Sequence, residues 1–140
     1  MAYKVFVDTN VILEHILRRE KWAEANELFK LAEDGVIQCF LSSSSYYTLA
    51  YVLRKYLSDK QKRIILGKYL SLTSVLTTDA NHLTQGLISS FKDIEDAFQY
   101  YTALGKVDYF LTFNKKDFAR YSLAQLEVYT PGEFLKEFAV

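Results

Sequence analysis

This sequence of 140 residues has only one cysteine and one proline, and its positive and negative charges balance. The single cysteine excludes an internal disulfide framework and a cysteine-rich zinc site, and a reducing cytoplasm is the simplest setting for such a chain. A single proline together with 16% aromatic residues excludes a disordered linker protein. Lys and Arg number 17, as do Asp and Glu, so the chain lacks the overall basic field that holds nucleic acid without sequence preference.

Long apolar runs are also missing. Charged residues interrupt every hydrophobic stretch well before the roughly 18 residues that a membrane span needs. Asp8 interrupts the one N-terminal run that resembles a targeting segment. We therefore expect a cytoplasmic protein without a membrane partner. Half of the residues are hydrophobic, which at this length predicts one core and a single domain over residues 1–140.

Short apolar runs alternate with helical patterns along the whole chain. The runs typical of buried strands are Tyr3–Val7, Val36–Leu41, Ser74–Thr77, Tyr109–Thr112 and Leu126–Tyr129. Helical spacing fills the segments between most of them, and Asp or Ser residues stand where helix N-caps belong. Gly35 and Gly105 stand where helices should end. This alternation predicts an α/β domain with a mostly parallel central sheet flanked by helices.

Polar residues cluster where the predicted strands end. They are Asp8, Thr9 and Asn10 after the first strand, Ser42–Ser45 after the second, and Asn114, Lys115, Lys116 and Asp117 after the fourth. A further acidic group, Asp93, Glu95 and Asp96, opens the helix before that fourth strand. The carboxyl ends of parallel strands meet at one edge of a sheet, so we expect these segments to converge there.

Converging carboxylates predict a cation, because like charges a few ångströms apart resist joint ionisation. Mg²⁺ and Mn²⁺ prefer oxygen ligands from a few carboxylates, and either ion can activate water against a phosphodiester. Simpler interpretations stay open for each residue. Asp8 is also placed to cap the following helix, and Asp93, Glu95 and Asp96 favour a helix N-terminus whatever the function. The pair Tyr46 and Tyr47 suits either base stacking or core packing.

Taken together, three segments resemble the PIN domain family over nearly the whole chain. They are VFVDTNVIL, FKDIEDAFQYYTAL and DYFLTFNKKDF, and the closing TPGEFL also fits. The resemblance implies a parallel sheet wrapped by helices, with an acidic pocket that binds Mg²⁺ or Mn²⁺ and cleaves RNA. Many members of the family are toxins of bacterial toxin–antitoxin pairs, restrained by a small partner protein, and they often pair through helices. An antitoxin-like partner and a homo-oligomer are therefore expected.

The resemblance also assigns roles residue by residue. Asp8 matches the first acid of the family pocket, Asp96 the acid near the start of the late helix, and Thr9 and Asn10 the polar pair after the first acid. The chain departs from the family at the second acid, which aligns with Thr48, and at the fourth, which aligns with Asn114. The expected metal ligands are Asp8, Asp96 and Asn114, with Asp93 or Asp117 as substitutes and Asp117 as a further catalytic group. The expected substrate contacts are Thr9, Asn10, Lys92, Lys115 and Lys116.

Two functions of different classes remain open. The first is a metal-dependent ribonuclease, and the second is a catalytically degenerate PIN domain that binds RNA or a protein. Losing two formal charges from the site at ~1–3 kcal/mol each lowers metal affinity by tens- to thousands-fold, which favours the second. A receiver-like or phosphatase-like domain ranks last, because Asn10 occupies the place of the paired acid that such a site needs.

Overall fold

The computed structural model of this protein describes residues 2–138, so the predicted domain of residues 1–140 extends slightly beyond it at both ends. Five strands run through this part of the chain: β1 (Tyr3–Val7), β2 (Ile37–Ser42), β3 (Ser74–Leu76), β4 (Tyr109–Leu111) and β5 (Glu127–Tyr129). Eight helices accompany them there: α1 (Thr9–Ile16), α2 (Trp22–Glu33), α3 (Ser43–Leu53), α4 (Asp59–Leu72), α5 (Ala80–Ile88), α6 (Ile94–Ala103), α7 (Lys115–Ala119) and α8 (Pro131–Phe138).

The five strands form one sheet in the order β3-β2-β1-β4-β5, and every neighbouring pair is parallel. The predicted fold class is confirmed, and the sheet is wholly rather than mostly parallel. Every connection between successive strands contains at least one helix, which supplies the crossover that parallel strands require.

The chain changes direction across the sheet at β1. It first builds β2 and β3 on one side of β1, and then returns to build β4 and β5 on the other. Ligands of open α/β sheets bind beyond the carboxyl ends of the strands at such a reversal point. The segments that follow β1 and β4 therefore flank the crevice where a functional site is expected.

The core lies on both faces of the sheet. Val5 and Val7 point into one cluster and Phe6 into the other, because successive side chains of a strand alternate between faces. All three are fully buried. Phe6 is in register with Phe40 and Phe110, and the rings of Phe6 and Phe110 stack with centroids 5.1 Å apart. Burial on both faces explains why the last three residues of β1, Val5–Val7, form a continuous apolar run rather than an alternating one.

All five predicted strands hold to within one residue at each end. Gly35 and Gly105 adopt φ values of 75° and 80°, the left-handed conformation that ends a helix. Lys115–Ala119 forms a short helix that the sequence pattern did not predict, and its Phe118 is fully buried. Between residues 2 and 138, no helix is both long and apolar enough to cross a membrane.

Candidate active site

A cavity of about 410 Å³ opens at the carboxyl edge of the sheet. It collects six residues that the sequence placed in one site: Asp8, Thr9, Asn10, Asp93, Asp96 and Asn114. Its wall is completed by Leu13, Ser44, Ser45, Tyr47, Thr48, Glu95, Phe98 and Gln99. Segments separated by about a hundred residues of sequence therefore meet at this edge.

Asp8 lies at the floor of the cavity, directly after β1, and is only 3% exposed. Its backbone N–H donates to the carbonyl of Leu111 at 2.9 Å, which ties it to β4. Its carboxylate accepts from Thr112 Oγ1 at 2.7 Å and from Gln99 Nε2 at 2.9 Å. It also accepts from the N–H of Asn10 at 3.4 Å, so Asp8 caps α1 and lines the cavity at once. Burial raises the pKa of Asp8, and the hydrogen bonds from Thr112 and Gln99 oppose that shift.

Asp96 enters the cavity from the first turn of α6 and is half-buried. Its N–H donates at 3.0 Å to Asp93 Oδ1, which caps the helix. Burial, and then the charge of Asp8, raise the pKa of Asp96 to about 8; Asp93, Asp117 and Glu95 add to the effect in that order. The negative charge at this edge of the sheet is therefore poorly compensated by the protein.

The three expected phosphate-binding lysines lie outside the cavity wall. Among residues 2–138, no Lys or Arg lines this cavity. The ammonium of Lys115 contacts both carboxylate oxygens of Glu133 at 3.0 and 3.1 Å. Lys92 and Lys116 are exposed. Lys92 and Lys115 each adjoin a lining residue in sequence, but neither of them lines the cavity.

Asn114 and Asp117 both belong to the short helix that the sequence did not predict, but they occupy different positions in it. Asn114 lies at the N-terminus of α7 and lines the cavity, and its side chain makes no capping hydrogen bond. Its backbone N–H donates to Thr112 Oγ1 at 3.0 Å. Asp117 lies within α7, does not line the cavity, and contributes to the field felt by Asp96. The amide of Asn114 is therefore better placed than the carboxylate of Asp117 to meet a bound cation.

Thr48, which the family resemblance aligns with the second acid, has a neutral side chain. Thr48 lines the cavity, and its hydroxyl donates to the carbonyl of Ser44 one turn earlier at 3.5 Å. The two neighbouring tyrosines separate here. Tyr46 is half-buried and packs against the core, whereas Tyr47 lines the cavity and is 80% exposed.

Two polar residues that hold Asp8 were not singled out from the sequence. Gln99 and Thr112 are both buried, and each donates to one oxygen of the Asp8 carboxylate. Gln99 follows Asp96 by three residues, so both lie on the same side of α6. This i, i+3 spacing within EDAFQ is the sequence signal that points to Gln99.

The donor chemistry of the cavity suits one hard divalent cation. Among residues 2–138, no group of three or more Asp, Glu, His or Cys side chains is arranged to hold a metal ion. Asp8 and Asp96 instead supply two carboxylates, and Asn114, Ser44 and Thr48 add neutral oxygens to the wall. Oxygen-only donors with few carboxylates and room for water are typical of Mg²⁺ and Mn²⁺ sites.

A second cavity of about 700 Å³ lies at the C-terminal end of α1, between α2 and α4. His15 sits within it, with Nε2 3.0 Å from Asn26 Oδ1 and Nδ1 in contact with the Tyr69 hydroxyl. The lining contains one acidic residue, Glu33, and three cations: Arg18, Lys30 and Lys68. This surface is aromatic and basic, whereas the cavity around Asp8 is acidic.

These features coincide with a known family. The model of the PIN domain matches residues 4–116, so this chain belongs to the PIN domain family. No match was found among curated proteins.

Solved structures show the same fold. VapBC2 from Rickettsia felis, bound to a DNA fragment from its promoter, matches with a TM-score of 0.67 and 19% identity over 90% of this chain and 98% of that chain. A toxin–antitoxin complex from Klebsiella pneumoniae matches with a TM-score of 0.65 and 23% identity over 91% and 97%. DNA-bound VapBC from Salmonella typhimurium matches with a TM-score of 0.67 and 20% identity over 94% and 99%.

Proposed function

We propose that this protein is a metal-dependent ribonuclease of the toxin type, with its active site in the acidic cavity. The observation that carries the proposal is the meeting of Asp8 and Asp96 in a cavity that no described Lys or Arg lines. Burial, and then the charge of Asp8, raises the pKa of Asp96, so two charged carboxylates in this setting are unfavourable. A divalent cation offsets that unfavourable charge.

Asp8 and Asp96 would hold one Mg²⁺ or Mn²⁺, and Asn114 would add a neutral oxygen. Asp93 remains a substitute ligand, because it also lines the cavity. When bound, the ion supplies Lewis acidity toward a phosphodiester and a lower pKa for the attacking water. Thr112 and Gln99 each donate a hydrogen bond to the Asp8 carboxylate, and these bonds favour its ionised form. Asp117 does not line the cavity. From α7 it adds negative charge that raises the pKa of Asp96.

The RNA backbone would be held around this acidic centre by polar and basic groups. Thr9 and Asn10 line the cavity beside Asp8 and would contact the phosphate that is cleaved. Lys92, Lys115 and Lys116 lie in the segments next to the lining residues and would contact neighbouring phosphates. Each lysine that contacts a phosphate should lower the salt dependence of binding by about one unit of slope when it is removed.

An antitoxin-like protein partner is part of the proposal, supported by the toxin–antitoxin complexes among the structures of the same fold. The cavity between α1, α2 and α4 offers it a docking place of about 700 Å³ with three cations and one acidic residue. A partner segment that carries acidic and apolar side chains would match this surface. Replacing Lys68 with Glu should then weaken partner binding without changing cleavage by the free protein.

Self-association is a further proposed property. Leu87, Ile88 and Ile94 are 63%, 81% and 47% exposed at the end of α5 and the start of α6. Exposed apolar groups of this size are typical of interaction surfaces. Light scattering should show a mass above that of one chain, and Ile88→Asp should lower it to that of one chain, 16.3 kDa.

Cleavage of RNA and titration of Mn²⁺ test the proposed activity directly. The wild-type protein should cleave single-stranded RNA in Mn²⁺ and lose cleavage in EDTA. Asp8→Asn and Asp96→Asn should each abolish both Mn²⁺ binding and cleavage. Asp34→Asn is the matched control, because Asp34 is exposed at the end of α2 and does not line the cavity. Cleavage that survives Asp8→Asn would refute the assignment.

A degenerate binding module is the second candidate, and the neutral Thr48 favours it. Such a module would bind RNA or a protein with equal affinity in Mn²⁺ and in EDTA, and it would not cleave. Metal-dependent turnover would exclude it.

A further inference from the structure

Gln99 joins three separate parts of the structure through one side-chain amide. It lies on α6 and is 5% exposed. Its Nε2 donates to Asp8 Oδ1 at 2.9 Å. Its Oε1 accepts from the backbone N–H of Thr9 at 3.1 Å, from Thr9 Oγ1 at 3.2 Å and from Ser45 Oγ at 3.4 Å. The amide therefore links α6 to the β1–α1 junction and to the start of α3.

The orientation of this amide is determined by its neighbours. The N–H of Thr9 only donates and the ionised carboxylate of Asp8 only accepts. Exchanging the two ends of the amide would set Gln99 Oε1 against the Asp8 carboxylate and Nε2 against a backbone N–H. Both hydrogen bonds would be lost, so a single orientation of Gln99 satisfies the site.

The hydroxyl groups of Thr9, Ser45 and Ser42 form a hydrogen-bonded chain next to the amide. Thr9 Oγ1 lies 3.1 Å from Ser45 Oγ, and Ser45 Oγ lies 2.8 Å from Ser42 Oγ. Ser42, Ser45 and Thr9 are all buried. Ser42, which caps α3, and Ser45, in the first turn of α3, thus form a neutral hydrogen-bonded group next to Gln99.

We propose that Gln99 is a positioning residue that fixes the Asp8 carboxylate relative to Asp96. Asp96 and Gln99 lie three residues apart on one side of α6, so the helix that carries one carboxylate also holds the other. The role of Gln99 in metal binding rests on the proposed function, whereas its hydrogen bond to Asp8 does not depend on that function. Loss of a group that orients a metal ligand weakens metal affinity by about 10–100-fold.

NMR of the metal-free full chain tests whether Gln99 keeps the Asp8 side chain in one conformation. Three-bond couplings of the Asp8 β-protons report whether its side chain occupies one rotamer. The wild type should show one rotamer in EDTA. Gln99→Met keeps the length of the side chain and removes both hydrogen-bonding ends, and it should give averaged couplings. Gln99→Asn keeps the amide but draws it back by one methylene, so it cannot reach Asp8 and Thr9 together, and it should behave likewise.

Thr102→Val is the matched control, because it removes a buried hydroxyl three residues further along α6 that bonds Thr78 and the carbonyl of Phe98, outside the cavity lining. Asp8 should keep its single rotamer in this variant. A single rotamer in both Gln99 variants would overturn the proposal, as would equal averaging in Thr102→Val. Titration of Mn²⁺ then shows the consequence, with affinity expected to fall by about 10–100-fold in Gln99→Met. Absence of Mn²⁺ binding and cleavage in the wild type would refute the proposed function alone, since the rotamer result is obtained without metal.

Discussion

Asp96→Asn should stabilise the metal-free protein at alkaline pH, although it removes a proposed ligand. A carboxylate whose pKa is raised from 3.8 to about 8 holds its proton more tightly in the folded state than in the unfolded state. Between those two pH values the unfolded state ionises first, so stability falls as pH rises and reaches its full penalty near pH 8. The amide variant has no charge to bury and should lack this loss.

The magnitude follows from the shift and from the exposure of the group. At full value, a shift of this size corresponds to about 6 kcal/mol. Asp96 is only half-buried, and solvent screening reduces the expected penalty to roughly 1–2 kcal/mol. The variant also loses a favourable carboxylate in the first turn of α6, which costs about 0.5 kcal/mol. A net gain of roughly 1 kcal/mol is therefore expected near pH 8 or above.

Urea unfolding in EDTA measures this difference. The free energy of unfolding of Asp96→Asn should exceed that of the wild type at about pH 8.5, and the gap should shrink toward about pH 5. Glu95→Gln is the comparison variant on the same turn of α6, and it should give a smaller gain, because Glu95 is exposed and contributes least to the raised pKa of Asp96. Adding Mn²⁺ should reverse the order, since about a hundredfold excess over its Kd stabilises the binding-competent wild type by about 2.7 kcal/mol. An Asp96→Asn variant that is no more stable than the wild type at high pH would refute the electrostatic argument.

Three further predictions concern parts of the fold outside the acidic cavity. Burial raises the pKa of the Cys39 thiol to about 12, so Ellman's reagent near pH 8 should label it only after unfolding. Tyr100→Phe should lower the free energy of unfolding by about 1–3 kcal/mol. Its hydroxyl donates to the carbonyl of Leu126 at 2.8 Å and accepts from the N–H of Leu123 at 2.7 Å. Ser58→Ala should cost about 1 kcal/mol by removing one half of the capping box of α4, as measured by urea unfolding.

Each of these has an outcome that contradicts it. Rapid labelling of Cys39 in the native protein would show that β2 opens locally. Tyr100→Phe with wild-type stability would mean that water replaces the lost hydroxyl, and Tyr101→Phe on the same helix is its control. Ser58→Gly should cost only a few tenths of a kcal/mol relative to Ser58, so equal loss in both variants would exclude capping as the cause.

Local sequence patterns were sufficient to predict most of the elements. The run YKVFV predicted a buried strand because both of its faces are apolar, and Gly35 and Gly105 predicted helix ends because left-handed backbone favours glycine. The sequence did not predict α7, whose five residues are too few to show helical periodicity. The burial of Phe118 against distant residues stabilises it instead.

The residues of the candidate site were likewise predicted only in part. Asp8 and Asp96 were identified from motifs, because each follows or opens an element at a recognisable position. Lys92, Lys115 and Lys116 were expected beside the acids on sequence proximity alone, and none of them lines the cavity. Lys115 contacts Glu133 from α8, a contact between residues 18 apart that adjacency in sequence does not reveal.

By itself, the sequence determined the α/β pattern, the family resemblance and the two carboxylates. Only the tertiary structure decided how those carboxylates are held. Gln99 and Thr112 reach Asp8 across 91 and 104 residues of chain, and such pairings form only when α6 and β4 dock beside β1. A buried carboxylate needs hydrogen-bond donors for its oxygens. Tertiary packing, and not local periodicity, brings those donors to Asp8.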